Sequence, residues 1–210
     1  MTDIHGEPAR RRRSDGERSR NAILREAGQL ATVEGISGIS ISRLAEAVGM
    51  SKSGLFAHFG SKEELQVATI EMARGVFTKQ VIEPALALPT GLERLRQLGE
   101  NFLRYVEGGL YPGGCIFASV AAEMAMRPGP VRDGAVAVLD EFSRQVATAI
   151  RDAQAEGAID PAEDAAQLAF ELAGYLSLAN TQFAFRQEAA PINRARRALE
   201  RRIMAAAPGA

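Results

Sequence analysis

The twenty residues 41–60, ISRLAEAVGMSKSGLFAHFG, constrain the fold more than any other stretch of the chain. Two short apolar-periodic segments, Ile41 to Val48 and Lys52 to Phe59, are separated by a reversal of about four residues. A reversal that short favours a left-handed backbone position, and Gly49 falls there. Helices crossing at a steep angle need a small residue at the contact, supplied by Ala45. They also need inward apolar side chains to hold the angle: Leu44, Val48, Met50 and Leu55. Ser51 is placed to cap the second helix, which leaves Lys52, Ser53 and Gly54 on its exposed first turn. This is the pattern of a helix-turn-helix, whose second helix enters the DNA major groove by its N-terminal residues. An αα-corner without function satisfies the same spacing. The serine cap, the small polar residues that admit close approach and the basic flank favour the DNA reading.

The rest of the chain reads as helix. Ala, Leu, Glu, Gln and Arg dominate, and no stretch alternates apolar and polar residues over the length of a strand. The expected first helix runs from about Glu17 to Glu34 and ends at Gly35. Ser61 with Glu64 forms a capping box that opens a helix running towards Ile82, and Thr90 with Glu93 forms another. Further helices are expected over Cys115 to Ala125 and from Val131 to a stop at Gly157. Asp160-Pro161, with Glu163, is expected to open the next helix. That helix carries no charge from Leu172 to Phe185, with Leu176 and Leu178 on opposing faces, so burial on more than one side is expected. A basic helix closes the chain. The fold class is all-α, with about nine helices, divided into a basic arm (1–16), a helix-turn-helix head (17–62) and a larger body (63–210).

Charge follows the same division. The chain has 25 Lys+Arg against 26 Asp+Glu, a net −1. Residues 8–60 nevertheless hold nine basic to five acidic side chains, and residues 63–210 hold fifteen to nineteen. A basic head on an acidic body suits nucleic acid. Four of the positive charges form the run Arg10 to Arg13, which reads equally as a solvated tail or as a DNA-touching arm.

Other classes are disfavoured. One cysteine, Cys115, excludes a disulfide framework within the chain and fits a reducing compartment. With only His5 and His58 beside it, ligands for a structural zinc are too few. The longest uncharged run, Gly108 to Ala122, is broken by glycines and Pro112, and no apolar segment follows the N-terminus. Neither a membrane span nor a secretory signal is expected, and the expected location is cytoplasmic. No phosphate-binding glycine motif is present. Glu63/Glu64 and Glu163/Asp164 fall in first helical turns, where capping and the helix dipole account for them. Neither catalysis nor a cofactor is expected.

The first helix, then ISRLAEAVGMSKSGLFAHFGSKEEL followed by a long helix, resembles the DNA-binding domain of the tetracycline-repressor (TetR) family over residues 17–75. The resemblance implies a three-helix head on a ligand-binding, dimerising body, and most such proteins are repressors released from a palindromic operator by a small molecule. Carried over position by position, it implies that Ser42 and Arg43 meet phosphates or base edges. Ser51, Lys52, Ser53 and Gly54 would lie in the major groove, with His58 and Lys62 against the backbone. Two departures stand out. The usual Tyr is Phe56, whose ring must pack or touch a thymine methyl. The usual Gly followed by Ser or Thr is reversed as Ser53-Gly54.

In the body, YPGGCIFAS resembles a subset of TetR-like regulators, a less specific match. By the same resemblance the helices near 162–187 and 190–206 would form a four-helix interface between two copies. Phe102, Tyr105, Cys115, Phe117, Met124, Phe142 and Tyr175 are candidates to line an inducer pocket, each with plain core packing as its alternative. The expected partners are double-stranded operator DNA, a small apolar inducer and a second copy of the chain; a constitutive architectural DNA protein would not need so large a body. The alternative signal is a thiol-redox or electrophile response at Cys115. It follows Gly113-Gly114 at a helix start, where amide dipoles lower a thiol pKa, while Ile116, Phe117 and Ala118 beside it suggest core.

Overall fold

In the computed structural model, which describes the backbone over residues 7–209 and side chains over 16–209, every regular element is helical. The order is α1 (Glu7–Val33), α2 (Ile41–Ala47), α3 (Lys52–Phe56), α4 (Lys62–Phe77), a π-helical turn (Thr78–Ile82), α5 (Glu83–Leu86) and α6 (Gly91–Glu107). α7 (Ile116–Glu123), α8 (Pro130–Ala155), α9 (Ala165–Arg186) and α10 (Ala190–Ala205) follow. α4, the π turn and α5 run on as one rod, so the described residues hold nine helical rods, as expected. α1 begins at Glu7 rather than near Glu17. The backbone of the Arg10 to Arg13 run therefore belongs to α1, while its side chains, and residues 1–6, lie outside the described residues.

Local chemistry sets most boundaries. At Thr90 the hydroxyl accepts from the Glu93 amide and the Glu93 carboxylate accepts from the Thr90 amide, both at 3.3 Å, the expected box. At Ser61 only half of it forms: Ser61 Oγ accepts from Glu64 N (3.1 Å), but the Glu64 carboxylate reaches Gly60 N (3.1 Å) instead. Asp160 does not open α9. Its carboxylate accepts from Ala162 N (2.8 Å) within a local turn, and its own amide donates to Ala206 O (2.8 Å). The helix starts four residues on, where the Asp164 carboxylate accepts from the amides of Ala166 (2.9 Å) and Gln167 (3.1 Å).

α1 packs on α2, α4 and α7, and α2 on α3; α4 and α7 lead into the body, where both pack on α8. α6 lies against α8, α9 and α10. The body core centres on Phe77, the last residue of α4. Its ring meets Tyr105 (5.2 Å between centroids) and Phe102 (6.3 Å) of α6, Phe117 of α7 (5.5 Å) and Phe142 of α8 (5.7 Å), all edge-on. Each such contact adds about 0.5–1.5 kcal/mol to the area it buries, so one side chain fastens four helices.

Along the rod, Ala73, Phe77, Val81 and Ala85 are all buried at four-residue intervals. A spacing of four overruns an α-helical turn by about 40° per step, and the wider π turn takes up that drift. Its Val81 carbonyl accepts from Asn101 Nδ2 in the core (3.0 Å).

α9 presents two apolar faces. Leu168, Leu172, Leu176, Ala179 and Phe183 are buried, whereas Phe170 (75% exposed), Leu178 (58%) and Phe185 (82%) face outward. Within one chain this helix is therefore covered on one side only, not on more than one. No helix among the described residues is long and apolar enough to cross a membrane.

Candidate nucleic-acid interface

α2, α3 and the turn between them have the geometry their residues demand. Gly49 takes φ +66°, and a Cβ there would touch nothing, so the glycine answers to backbone conformation alone. Met50 N donates to Ala45 O (2.8 Å), closing the reversal over the buried Leu44 and Leu55. Ser51 Oγ accepts from Gly54 N (3.0 Å) and shares a hydrogen bond with Ser53 Oγ (3.1 Å). Ser51, Lys52 and Ser53 consequently stand exposed on the first turn of α3, with Gly54 half-buried behind them.

Of the other head residues singled out by sequence, Ser42 and Arg43 are exposed on the first turn of α2. The Phe56 ring is about half exposed (47%) and lies outside the core. His58 is half-buried; its carbonyl accepts from Arg20 Nη1 (2.7 Å), whose guanidinium lies 4.3 Å from the centroid of the Phe59 ring. Lys62 is exposed, and its ammonium donates to Ser37 O (2.6 Å). Sequence reasoning missed the residues that hold these groups: Glu34, ion-paired with Arg43; Gln66, donating to Ile36 O (2.7 Å); and Glu123 of α7, whose carboxylate accepts from both Ile36 N (2.7 Å) and Ser37 N (2.9 Å).

The seven body candidates separate. Phe102, Tyr105, Phe117 and Phe142 meet around Phe77, with Cys115 fully buried beside them. Burial, with the Cys115 thiol as a smaller contribution, raises the Tyr105 phenol well above its ordinary range. Met124 sits past the other end of α7, where its sulfur accepts from Ser37 Oγ (3.5 Å). Tyr175 is half-buried and lines a shallow groove with Pro191 and Arg194 of α10. A separate cavity of about 190 Å³ lies between α6, α8, α9 and α10, walled by Leu95, Leu103, Val146, Leu172, Leu176 and Leu199. Arg96 and Arg196 also line it, paired with Glu200 (2.7 Å) and Glu100 (2.9 Å) across the α6–α10 seam.

Cys115 corrects an expectation. It does stand at the start of α7, where the amides of Phe117 and Ala118 favour its thiolate, but complete burial outweighs them and pushes the thiol up to about 11. A reactive thiolate poised at neutral pH is not what this position holds.

Residues 23–69 match the sequence model for bacterial regulatory proteins of the tetR family, and residues 91–199, more than half of the chain, match that for the tetracyclin repressor-like C-terminal domain. The chain belongs to the TetR family. Its TetR relatives include the transcriptional regulator AcuR of Cereibacter sphaeroides, 25% identical over 159 residues, which cover 74% of this chain and 71% of AcuR. A TetR regulator from Chloroflexus aurantiacus superposes with a TM-score of 0.83 at 26% identity, over 91% of this chain and 96% of that one. AibR, solved in complex with isovaleryl coenzyme A and operator DNA, gives a TM-score of 0.72 at 24% identity, over 87% and 97% of the two chains. As a TetR-family protein the chain is a DNA-binding transcriptional regulator, with its helix-turn-helix in α2 and α3.

Proposed function

We propose that this regulator is a dimeric repressor that holds a palindromic operator and is released from it by a small apolar molecule bound in the body. The observation that carries the reading is the outward face of α9. Phe170, Leu178 and Phe185 form an apolar surface beside the groove shared with α10, and a second copy of the chain is its natural cover. Two copies supply two heads, as a palindrome requires.

On that operator Ser51, Lys52, Ser53 and Gly54 enter the major groove, and Ser42 and Arg43 meet phosphates or base edges from α2. Phe56 packs on a thymine methyl, and His58 and Lys62 lie against the backbone. The aromatic cluster of Phe102, Tyr105, Phe117 and Phe142, with Cys115, is packed around Phe77 and joins α4 to α7 as core, so the effector is better placed in the neighbouring cavity. The cavity between α6, α8, α9 and α10 is apolar inside, and the arginines in its lining, Arg96 and Arg196, are already paired with Glu200 and Glu100, which suits a small uncharged apolar molecule. Met124 and Tyr175 lie apart from both and fall out of the pocket assignment. That AibR was solved with an acyl coenzyme A and with DNA supports a regulator of this kind.

The test is a duplex selected from a random pool by the full-length protein, followed by fluorescence anisotropy. Lys52→Ala should weaken selective binding by about 1–3 kcal/mol if Lys52 reads a base, and lower the salt slope by about one if it meets phosphate. Unchanged binding removes the assignment. Small uncharged apolar compounds, short-chain esters among them, are the first effectors to try for release, and Leu103→Trp, which fills the cavity, should abolish release by any effector that occupies it.

A further inference from the structure

The turn from Gly35 to Gly38, which leads from α1 into α2, is held from two sides. Its amides at Ile36 and Ser37 both donate to the Glu123 carboxylate, at 2.7 and 2.9 Å, across 86 and 87 residues of sequence. Its carbonyls at Ile36 and Ser37 accept from Gln66 Nε2 (2.7 Å) and Lys62 Nζ (2.6 Å), both on α4. Gly35 completes the fit: it takes φ +81°, and a Cβ there would stand 2.7 Å from Glu123 Oε2. A side chain at 35 would push the carboxylate away.

Both supports lead back to one place. α4 ends at Phe77 and α7 carries Phe117 on its first turn, and these two rings meet edge-on at 5.5 Å. At the other ends of the same helices lie Lys62 and Gln66 on one side and Glu123 on the other. A change in the angle between α4 and α7 would therefore separate the groups that hold the amides from those that hold the carbonyls. The turn would shift, and α2 with it, because Ser40 at its end caps α2.

We infer that Glu123 is a positioning residue for DNA binding: its carboxylate registers the helix-turn-helix to the body by holding the Ile36 and Ser37 amides against the pull of Lys62 and Gln66. Its role is to fix the pose of α2 and α3, and it does not itself touch DNA. The inference rests on the DNA-contact reading given above for the residues of those helices.

The experiment uses the full chain with Glu123→Gln and Glu123→Ala, and Lys52→Ala as the control for the DNA contacts. Binding to the selected duplex and to a random duplex is measured together with amide hydrogen exchange. Glu123→Gln leaves one acceptor oxygen for two amides. Selected-duplex binding should fall about tenfold, as expected for loss of a charge-assisted hydrogen bond, while random-duplex binding stays constant. Exchange should rise at Ile36 and Ser37 and stay unchanged in α8 and α10. Glu123→Ala should lose at least as much, and if it fails to fold, Glu123→Gln decides. Equal losses on both duplexes that follow the fraction unfolded would make Glu123 merely structural and overturn the inference. Unchanged selected-duplex binding by Glu123→Gln, beside a weakened Lys52→Ala, would overturn it alone. Intact binding by Lys52→Ala would remove the DNA-contact reading and this inference with it.

Discussion

Glu34, directly after α1, and Arg43, in the first turn of α2, form an ion pair across the turn that joins the two helices. The arginine side chain is still 61% exposed, so a phosphate can compete for it. In the DNA-free protein the carboxylate occupies the guanidinium that the proposed reading assigns to the operator. Glu34→Gln should therefore raise operator affinity, by at most about fivefold, since an exposed pair contributes up to about 1 kcal/mol. Anisotropy titrations over a salt series measure it, and a fall in affinity would show instead that Glu34 aims Arg43.

Assembly is tested on the outward face of α9. Light scattering at micromolar concentration should give the mass of two chains, and Leu178→Glu should give one chain with unchanged far-ultraviolet circular dichroism. The glutamate replaces a side chain 58% exposed in the single chain, so the fold of each copy has little to lose. A wild-type protein of one-chain mass refutes the dimer.

The buried thiol makes a prediction about alkaline pH. Cys115 keeps its proton up to about 11 in the folded protein, whereas an unfolded chain releases it near 9. Between those values the unfolded state binds fewer protons, so stability falls as pH rises through the window, by up to about 2–3 kcal/mol from this group. Tyr111, pushed up to about 12 by burial, extends the loss further. Denaturant midpoints at pH 8.5, 9.5 and 10.5 should decline, and decline less steeply in Cys115→Ala. Parallel slopes would mean that the thiol is not held protonated.

Two phenylalanines should behave oppositely. Phe77→Ala removes the ring shared by four helices and should cost about 3–5 kcal/mol of stability. Phe56→Ala, on the exposed turn of the head, should change stability by no more than about 0.5 kcal/mol yet weaken selective DNA binding. Chemical denaturation and anisotropy on the same two proteins separate the effects.

What could be read from the sequence was what neighbouring residues decide among themselves. Gly49, Ser51 and the apolar spacing of 41–60 specify a reversal without help from the rest of the chain, and the Thr90–Glu93 cap is equally local. The start of α9 is not legible because Asp160-Pro161 has the composition of a helix start, while its backbone is claimed by a turn and by Ala206. The run Arg10 to Arg13 reads equally as a solvated tail or as a DNA-touching arm, and its backbone continues α1 because arginine is also a good helix former. The aromatic residues of the body were recognisable as apolar and large, but residue type does not state which rings meet. Residue type alone therefore puts Met124 and Tyr175 beside Phe102, whereas the fold sets them apart. Glu123 carried no signal, because its partners lie 86 and 87 residues away.

The π turn at Thr78–Ile82 bears on which changes of chain length the fold tolerates. Elsewhere in a long helix, adding or deleting one residue rotates everything beyond it by about 100° and takes buried side chains out of the core. Here the helix already carries extra residue length in one wide turn, directly after Phe77. A deletion within 78–82 can tighten that turn to ordinary α-helix while Phe77 on one side and Ala85 on the other keep their places. Among related sequences, single-residue gaps in this helix should collect at that turn.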